Sequence, residues 1–179
     1  MDPRKKTLLF FGLIREYKGL KVLIEAFGQL DDSFQLIIAG ECYEREQEYM
    51  DAINSNPLSK NIIMVNEFVN DEQVPDYFSA ADAVILPYLN ATQSGVTAIA
   101  LHFNTPVIAS KVGGLNEFIN HNSTGLLVSP IGDSTALKNA IYTWFSVSRK
   151  NVETEINKWS KNFSWKKFCS DLIEFTQTT

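Results

Sequence analysis

The sequence contains few of the residues that most often build metal sites and disulfide frameworks. Only two cysteines and two histidines occur among its 179 residues. Cys42 and Cys169 show no C-x-x-C spacing and have no histidine near them, which argues against a zinc motif and against a fold organised by disulfides. We therefore expect no metal, no cofactor and a reducing compartment, for which the cytoplasm is the simplest location.

Positive charge and long apolar runs are also scarce. Lys and Arg number 16 against 21 Asp and Glu, so the net charge of -5 provides no overall attraction for nucleic acid or anionic lipid. No apolar run approaches the roughly 20 residues of a membrane-spanning helix. The opening Met-Asp-Pro-Arg-Lys-Lys lacks the apolar core that a signal peptide needs after it. We expect neither nucleic acid binding nor direct membrane insertion.

Apolar runs of strand length alternate with amphipathic stretches of helix length, which is typical of a parallel sheet covered by helices. The predicted strands span residues 7–13, 34–39, 62–65, 83–86, 106–110 and 125–128. The predicted helices span residues 20–30, 44–56, 75–80, 96–103, 115–119 and 135–144. Strands such as Leu-Ile-Ile-Ala are apolar on both faces, as in a sheet between two helix layers. The predicted fold class is therefore α/β, a Rossmann-like parallel sheet with helices on both faces.

The pattern changes near the carboxyl end of the chain. Residues 1–150 form the predicted α/β domain, and residues 151–179 form a tail with helices at 152–162 and 165–175 and no further strand. We expect three tryptophans to fill the joint between sheet and tail: Trp144, Trp159 and Trp165.

The first strand leads into Phe-Gly-Leu-Ile-Arg-Glu-Tyr-Lys-Gly, in which Gly12 and Gly19 bracket Arg15 and Lys18. Ligands of parallel sheets bind beyond the carboxyl ends of the strands. A helix N-terminus carries free N–H groups and partial positive charge, so two cations beside it favour a phosphate or diphosphate. A solvated turn with surface charges is an equally good interpretation of this spacing.

A second loop, Pro-Tyr-Leu-Asn-Ala-Thr-Gln-Ser-Gly, follows the fourth predicted strand and also precedes a helix. Thr92 or Ser94 can cap that helix, and Gly95 lets a ligand approach the backbone. Ser-Gly before a helix is usually only a cap. Two such helix ends after neighbouring strands indicate more, because a diphosphate could be held between them.

Other candidate side chains have simpler interpretations. His102 lies on a helix that also buries apolar residues, and His121 lies in a turn, so we interpret both as structural or solvent-facing. The carboxylates of residues 41–48 are typical of a solvated helix start.

Together these stretches resemble the carboxyl-terminal domain of family 4, or group 1, of the retaining glycosyltransferases, which have the GT-B fold. The resemblance covers nearly the whole chain. It rests on the loop at 12–19 and on four further blocks in family order: Ile-Ile-Ala-Gly at 37–40, Tyr-Phe-Ser-Ala-Ala-Asp-Ala-Val-Ile-Leu-Pro at 77–87, Thr-Pro-Val-Ile-Ala-Ser with Gly-Gly at 105–114, and Thr-Gly-Leu-Leu-Val at 124–128.

The resemblance implies a domain that binds a nucleotide-diphosphate sugar and faces an amino-terminal acceptor-binding domain, absent here, which the tail would brace. It matches Lys18 to the lysine on the donor diphosphate and Arg15 to its companion, shifted from the usual position at Leu13. Nucleotide contacts would come from the first loop and the base-binding region: Gly12, Glu41 and Phe68. The donor loop would supply further contacts: Thr92, Gln93, Ser94, Gly95 and Val96.

One departure from the family concerns a pair of glutamates that many members carry, since Ala91 and Ile99 occupy those positions. The resemblance still implies a transferase of polysaccharide-biosynthesis type, inactive as an isolated domain, in which Arg15 and Lys18 stabilise the leaving diphosphate. The alternative is a noncatalytic nucleotide-sugar-binding module or the donor subunit of a split transferase. An epimerase of the same architecture is disfavoured, because no catalytic acid pair lies near the strand ends.

Overall fold

The computed structural model describes residues 1–148 and 150–177. Its centre is a six-stranded sheet in which all paired strands are parallel. The strands are β1 (Lys6–Phe11), β2 (Phe34–Ala39), β3 (Ile62–Val65), β4 (Ala83–Leu86), β5 (Val107–Ser110) and β6 (Gly125–Val128). Their order is β3-β2-β1-β4-β5-β6, so the direction of winding reverses between β1 and β4. In sheets of this type that reversal opens a crevice at the carboxyl ends of the two strands.

Helices cover both faces of the sheet and form the tail. They are α1 (Leu20–Phe27), α2 (Glu46–Asn54), α3 (Val74–Ala80), α4 (Gly95–His102), α5 (Leu115–Phe118), α6 (Ser134–Ser146), α7 (Val152–Ser160) and α8 (Trp165–Gln177). Short 3-10 turns lie at Glu16–Lys18, Ser59–Asn61 and Lys161–Phe163. The predicted Rossmann-like α/β class with a helical tail is confirmed.

The two faces of the sheet bury separate apolar cores, because successive side chains of a strand point in opposite directions. Leu8 and Phe10 of β1 contribute to the core beneath α1, α2 and α6. Leu9 and Phe11 contribute to the core beneath α3, α4 and α5. The double-sided apolar pattern of the strands thus reflects burial on both faces.

Most predicted element bounds agree with the structure to within two or three residues. The first strand ends at Phe11 and not at residue 13, because Gly12 turns the chain with a φ of 89°. The second helix begins at Glu46, after Arg45 in a left-handed conformation. The sixth begins at Ser134, where the Asp133 side chain accepts a hydrogen bond from the Ala136 N–H at 2.9 Å.

The tail packs on the α/β body through its first helix and through the 3-10 turn that follows, where the Phe163 ring stacks on Phe118 with centroids 4.7 Å apart. Ile156 of α7 is fully buried, and the Trp159 indole N–H donates to the Phe118 carbonyl at 2.9 Å. Helix α8 buries none of its described residues, and Trp165 is 81% exposed. The expectation that three tryptophans fill the joint is therefore wrong for Trp165, since that helix leads away from the sheet.

Candidate functional site

The loops that follow β1, β4 and β5 are in direct backbone contact at the crevice. Gly19 has a φ of 70°, and a Cβ there would lie 2.0 Å from the Pro87 carbonyl oxygen. Gly113, with a φ of 44°, would place a Cβ 1.7 Å from the Ala91 carbonyl oxygen. Only glycine allows approaches this close. The loops that hold most of the predicted site residues are therefore packed into one structure.

Lys18 lies at the centre of this structure. The residue is only 9% exposed, because Gly19 lets the loop lie against Pro87, so the interpretation as a solvated turn with surface charges is wrong for Lys18. The Lys18 Nζ lies 3.5 Å from the point where a Cβ would project from Gly12, and the Val96 Cγ2 lies 3.6 Å from that same point. The ammonium is thus close to both the end of β1 and the first turn of α4.

The Lys18 ammonium has no described counter-ion. Among residues 1–148 and 150–177 no carboxylate pairs with it, and its nearest recorded partner is the Tyr88 ring, whose centroid lies 5.8 Å from Nζ. Burial, together with the positive charge of Arg15, lowers the pKa of Lys18 from its ordinary value. A largely buried lysine whose ammonium makes no ion pair within the described chain is available to an anion that reaches it.

Arg15 lies nearer the surface and is already paired. Its guanidinium carbon is 5.6 Å from the centroid of the Tyr43 ring, and its Nη1 is 3.5 Å from Glu44 Oε1. A second ion pair, between Arg45 and Glu16 at 3.1 Å, joins the same two loops. Arg15 is thus held on the loop after β2, and its side chain is 38% exposed.

The first turn of α4 presents unused backbone donors beside Lys18. Ser94 is the N-cap residue, but its side chain makes no capping hydrogen bond, which contradicts the expectation for Ser94. The Ser94 Oγ lies instead 3.2 Å from the Tyr88 hydroxyl. Thr92 does not cap the helix either; its carbonyl accepts from the Gly114 N–H at 2.8 Å. Within the described chain, the N–H groups of Gly95 and Val96 make no hydrogen bond.

Space for a ligand remains around these donors. A Cβ built on Gly95 would meet no atom within 4 Å. Thr92 and Gln93 are exposed at the mouth of the crevice. This part of the loop therefore has an open face next to the free amides.

An apolar pocket of about 370 Å³ adjoins the ammonium on the β2 side. Its wall includes Phe11, Gly12, Glu41, Tyr43 and Phe68. The Tyr43 hydroxyl donates to Glu41 Oε2 at 2.6 Å, and this hydrogen bond is the main reason that the pKa of Tyr43 is raised. The structure thus places Gly12, Glu41 and Phe68 in one pocket, as their common assignment to a nucleotide requires.

Two aromatic residues of the site were missed by the sequence interpretation, Tyr43 and Tyr88. Tyr88 is only 2% exposed, and burial raises its pKa, so the phenol stays protonated near neutral pH. A tyrosine inside an otherwise polar loop was the available signal for both residues.

The two histidines lie outside the site. His102 faces the Phe103 ring edge-on at 4.9 Å, and His121 Nδ1 accepts from the Leu127 N–H at 3.0 Å. Among the described residues, no group of three or more His, Cys, Asp or Glu side chains could hold a metal ion. The same part of the chain contains no helix with the length and apolarity to cross a membrane.

Comparison with known proteins places these features in one family. A family model described as glycosyl transferases group 1 matches residues 5–146. D-inositol 3-phosphate glycosyltransferase of Pseudarthrobacter chlorophenolicus is 32% identical over 133 residues, which are 72% of this chain and 32% of that protein. The chain therefore spans about a third of the length of this relative.

Solved structures show the same fold. The Anabaena protein HepE in complex with UDP superposes with a TM-score of 0.83 at 23% identity, over 98% of this chain and 50% of that one. The C-terminal domain of a group 1 glycosyl transferase, LpcC, from Francisella tularensis superposes with a TM-score of 0.77 at 23% identity. That match covers 89% of this chain and 86% of the other.

Proposed function

The chain belongs to the group 1 glycosyl transferases, and we propose that it is the donor-binding half of a retaining enzyme. Its role would be to hold a nucleotide-diphosphate sugar while the sugar moves to an acceptor glycan, lipid or small molecule. One observation carries the proposal: the buried Lys18 ammonium, without a described counter-ion, lies beside the unused N–H groups of α4 and an apolar pocket.

Each part of the donor has a matching part of the site. The diphosphate would accept hydrogen bonds from Lys18, Arg15 and the N–H groups of Gly95 and Val96. The base would enter the apolar pocket beside Phe68 and Glu41. The sugar would project toward the exposed side of the donor loop, which Thr92 and Gln93 form. The UDP and UDP-glucose complexes of HepE support a donor of this chemical class.

The same groups would stabilise the reaction. As the bond between the anomeric carbon and the diphosphate oxygen breaks, negative charge grows on the diphosphate, where Lys18, Arg15 and the α4 amides are fixed in advance. The acceptor hydroxyl would attack from the side of the leaving group and give its proton to the departing phosphate. The new bond then has the same anomeric configuration as the old one. Neither a protein base nor a metal is required for this route.

The acceptor would bind to a second domain. The chain covers 32% of the inositol phosphate enzyme and 50% of HepE, which leaves room in a protein of that length for another domain. We propose that residues 1–150 bind the donor and that residues 151–179 brace the acceptor-binding domain. The exposed apolar side chains of α8 support bracing: Trp165, Phe168, Leu172 and Ile173. A cytoplasmic location fits a nucleotide sugar as donor.

A second function is favoured by one observation. Ala91 and Ile99 supply no carboxylates at the positions where the resemblance implies a glutamate pair, so the domain could bind a nucleotide sugar without transferring it. The two functions differ in one assay: the protein that includes an acceptor domain would release nucleoside diphosphate in the presence of acceptor only if it is a transferase.

A binding panel tests the shared part of both functions. The purified chain is titrated with UDP, GDP, ADP and CMP and with the matching nucleosides, using thermal shift and calorimetry. We expect at least one nucleoside diphosphate to bind more tightly than its nucleoside. Equal binding of diphosphates and nucleosides, or no binding of either, would refute the assignment of Lys18 and the α4 amides.

A further inference from the structure

Tyr88 contacts Lys18 and Ser94, two residues that adjoin the proposed diphosphate site. It is the second residue after β4 and is buried, and its neighbour Leu89 donates its N–H to the Tyr17 carbonyl at 2.7 Å. The Tyr17 ring packs against the Tyr88 ring edge-on, with centroids 6.0 Å apart. The ring is therefore held in place by the same loop that carries Lys18.

The Tyr88 hydroxyl is within hydrogen-bond distance of the Ser94 side chain. A serine at an N-cap normally accepts a hydrogen bond from the N–H of the second or third helical residue. Here the Ser94 Oγ lies 3.2 Å from the Tyr88 hydroxyl, and the helix has no side-chain cap. The N–H of Val96, the second helical residue, is consequently left for another acceptor.

The Tyr88 ring lies close to the Lys18 ammonium. The Lys18 Nζ lies 5.8 Å from the ring centroid, within the distance at which an aromatic ring attracts a cation. None of the ion pairs in the described chain includes Lys18. The ring thus holds the ammonium near Gly12 and Val96 without neutralising it, as a counter-ion would.

From these contacts we propose that Tyr88 is a positioning residue of the diphosphate site. Its hydroxyl keeps Ser94 from capping α4, so that the helix amides stay available to phosphate oxygens, and its ring holds the Lys18 ammonium beside them. This inference rests on the proposed function, and it adds a residue that acts only through Ser94 and Lys18.

The hydroxyl is tested with Tyr88→Phe, which keeps the ring. Without the phenol, Ser94 can rotate and cap α4, and the cap competes with the ligand. We expect calorimetry to show UDP affinity reduced about fivefold, the equivalent of one capping hydrogen bond, with uridine affinity unchanged. Ser94→Ala added to Tyr88→Phe removes the competing cap and should restore UDP affinity to within about twofold of the parent.

The ring is tested with Tyr88→Leu, compared with Tyr88→Phe. Loss of the cation–π contact should lower UDP affinity by about a further threefold to tenfold. In a Lys18→Ala background the two variants should bind UDP equally, because the ring then has no ammonium to hold. Tyr49→Leu is the matched control: it removes a tyrosine that is 3% exposed in the opposite core, and it should leave the ratio of UDP to uridine affinity unchanged.

The outcomes distinguish failure of the proposed donor-binding function from failure of the proposed role of Tyr88. If the parent binds none of UDP, GDP and ADP, the proposed function fails and this inference fails with it. If the parent binds UDP and Tyr88→Phe binds it equally tightly, or if Ser94→Ala fails to restore the loss, only the role of Tyr88 is overturned. Should the parent prefer GDP or ADP, the same variants are measured with that nucleotide and its nucleoside. Since Tyr88→Phe keeps the buried ring, the test survives even if Tyr88→Leu does not fold.

Discussion

Replacing Lys18 with alanine should weaken diphosphate binding without a matching loss of folding stability. In the proposed complex Lys18, a residue that is 9% exposed, supplies one charge-assisted contact to the diphosphate. Losing such a contact costs about 1.5 to 3 kcal/mol. Diphosphate affinity should therefore fall roughly tenfold to a hundredfold, whereas nucleoside affinity should stay nearly constant.

The free energy of unfolding of the free protein should not fall in step with the diphosphate affinity. Burial lowers the pKa of Lys18, so the folded state disfavours the protonated form at neutral pH. This cost is present below the folded-state pKa and disappears as the pH rises toward the ordinary value. Because Lys18→Ala removes the ammonium, it relieves the cost, and urea denaturation should show no loss beyond that of the removed methylene groups.

The matched control is Lys21→Ala. Lys21 lies on α1, pairs with Glu48 and has a side chain that is 53% exposed, so its removal changes the net charge equally but away from the crevice. Calorimetry with nucleoside diphosphate and nucleoside is run on the parent and on both variants. If Lys18→Ala binds the diphosphate as tightly as the parent does, the phosphate assignment is refuted and the interpretation as a simple turn is correct.

Four further outcomes follow from the structure. Diphosphate binding should favour protonated Lys18, so affinity should fall as the pH rises through its lowered pKa toward 10.5, while the affinity of Lys18→Ala changes less in the same titration. Hydrogen exchange should be fastest in α8, which buries none of its described residues, and slow amides throughout that helix would contradict this. These 179 residues alone should release no nucleoside diphosphate from a sugar donor above a heat-killed control, because the acceptor is proposed to bind to a second domain. Gly113→Ala should cost at least about 1–3 kcal/mol in urea denaturation because of its positive φ and the contact with Ala91, whereas Gly95→Ala should cost nothing.

The local pattern was sufficient to predict most of the fold. Four of the six strands have the predicted bounds, because runs that are apolar on both faces can be satisfied only between two helix layers. The five sequence blocks indicated the family, and the family model confirms it. The loops at the carboxyl ends of β1 and β4 were also identified correctly as neighbours, since parallel strands place those ends at one edge. All of these predictions depend on the local periodicity of apolar residues or on the direction of the strands.

The state of the site residues was decided by tertiary contacts. The sequence left open whether Lys18 lies in a solvated turn, and it is buried because Gly19 lets the first loop approach Pro87. Thr92 or Ser94 was predicted to cap α4, and the Ser94 hydroxyl lies against Tyr88 instead. Arg15 pairs with Glu44 across two loops that are distant in sequence. By itself the sequence determined which segments become strands and which loops meet at the crevice. Whether a given cation or hydroxyl in those loops is buried, paired or free was decided by backbone contacts between segments that lie far apart in the chain.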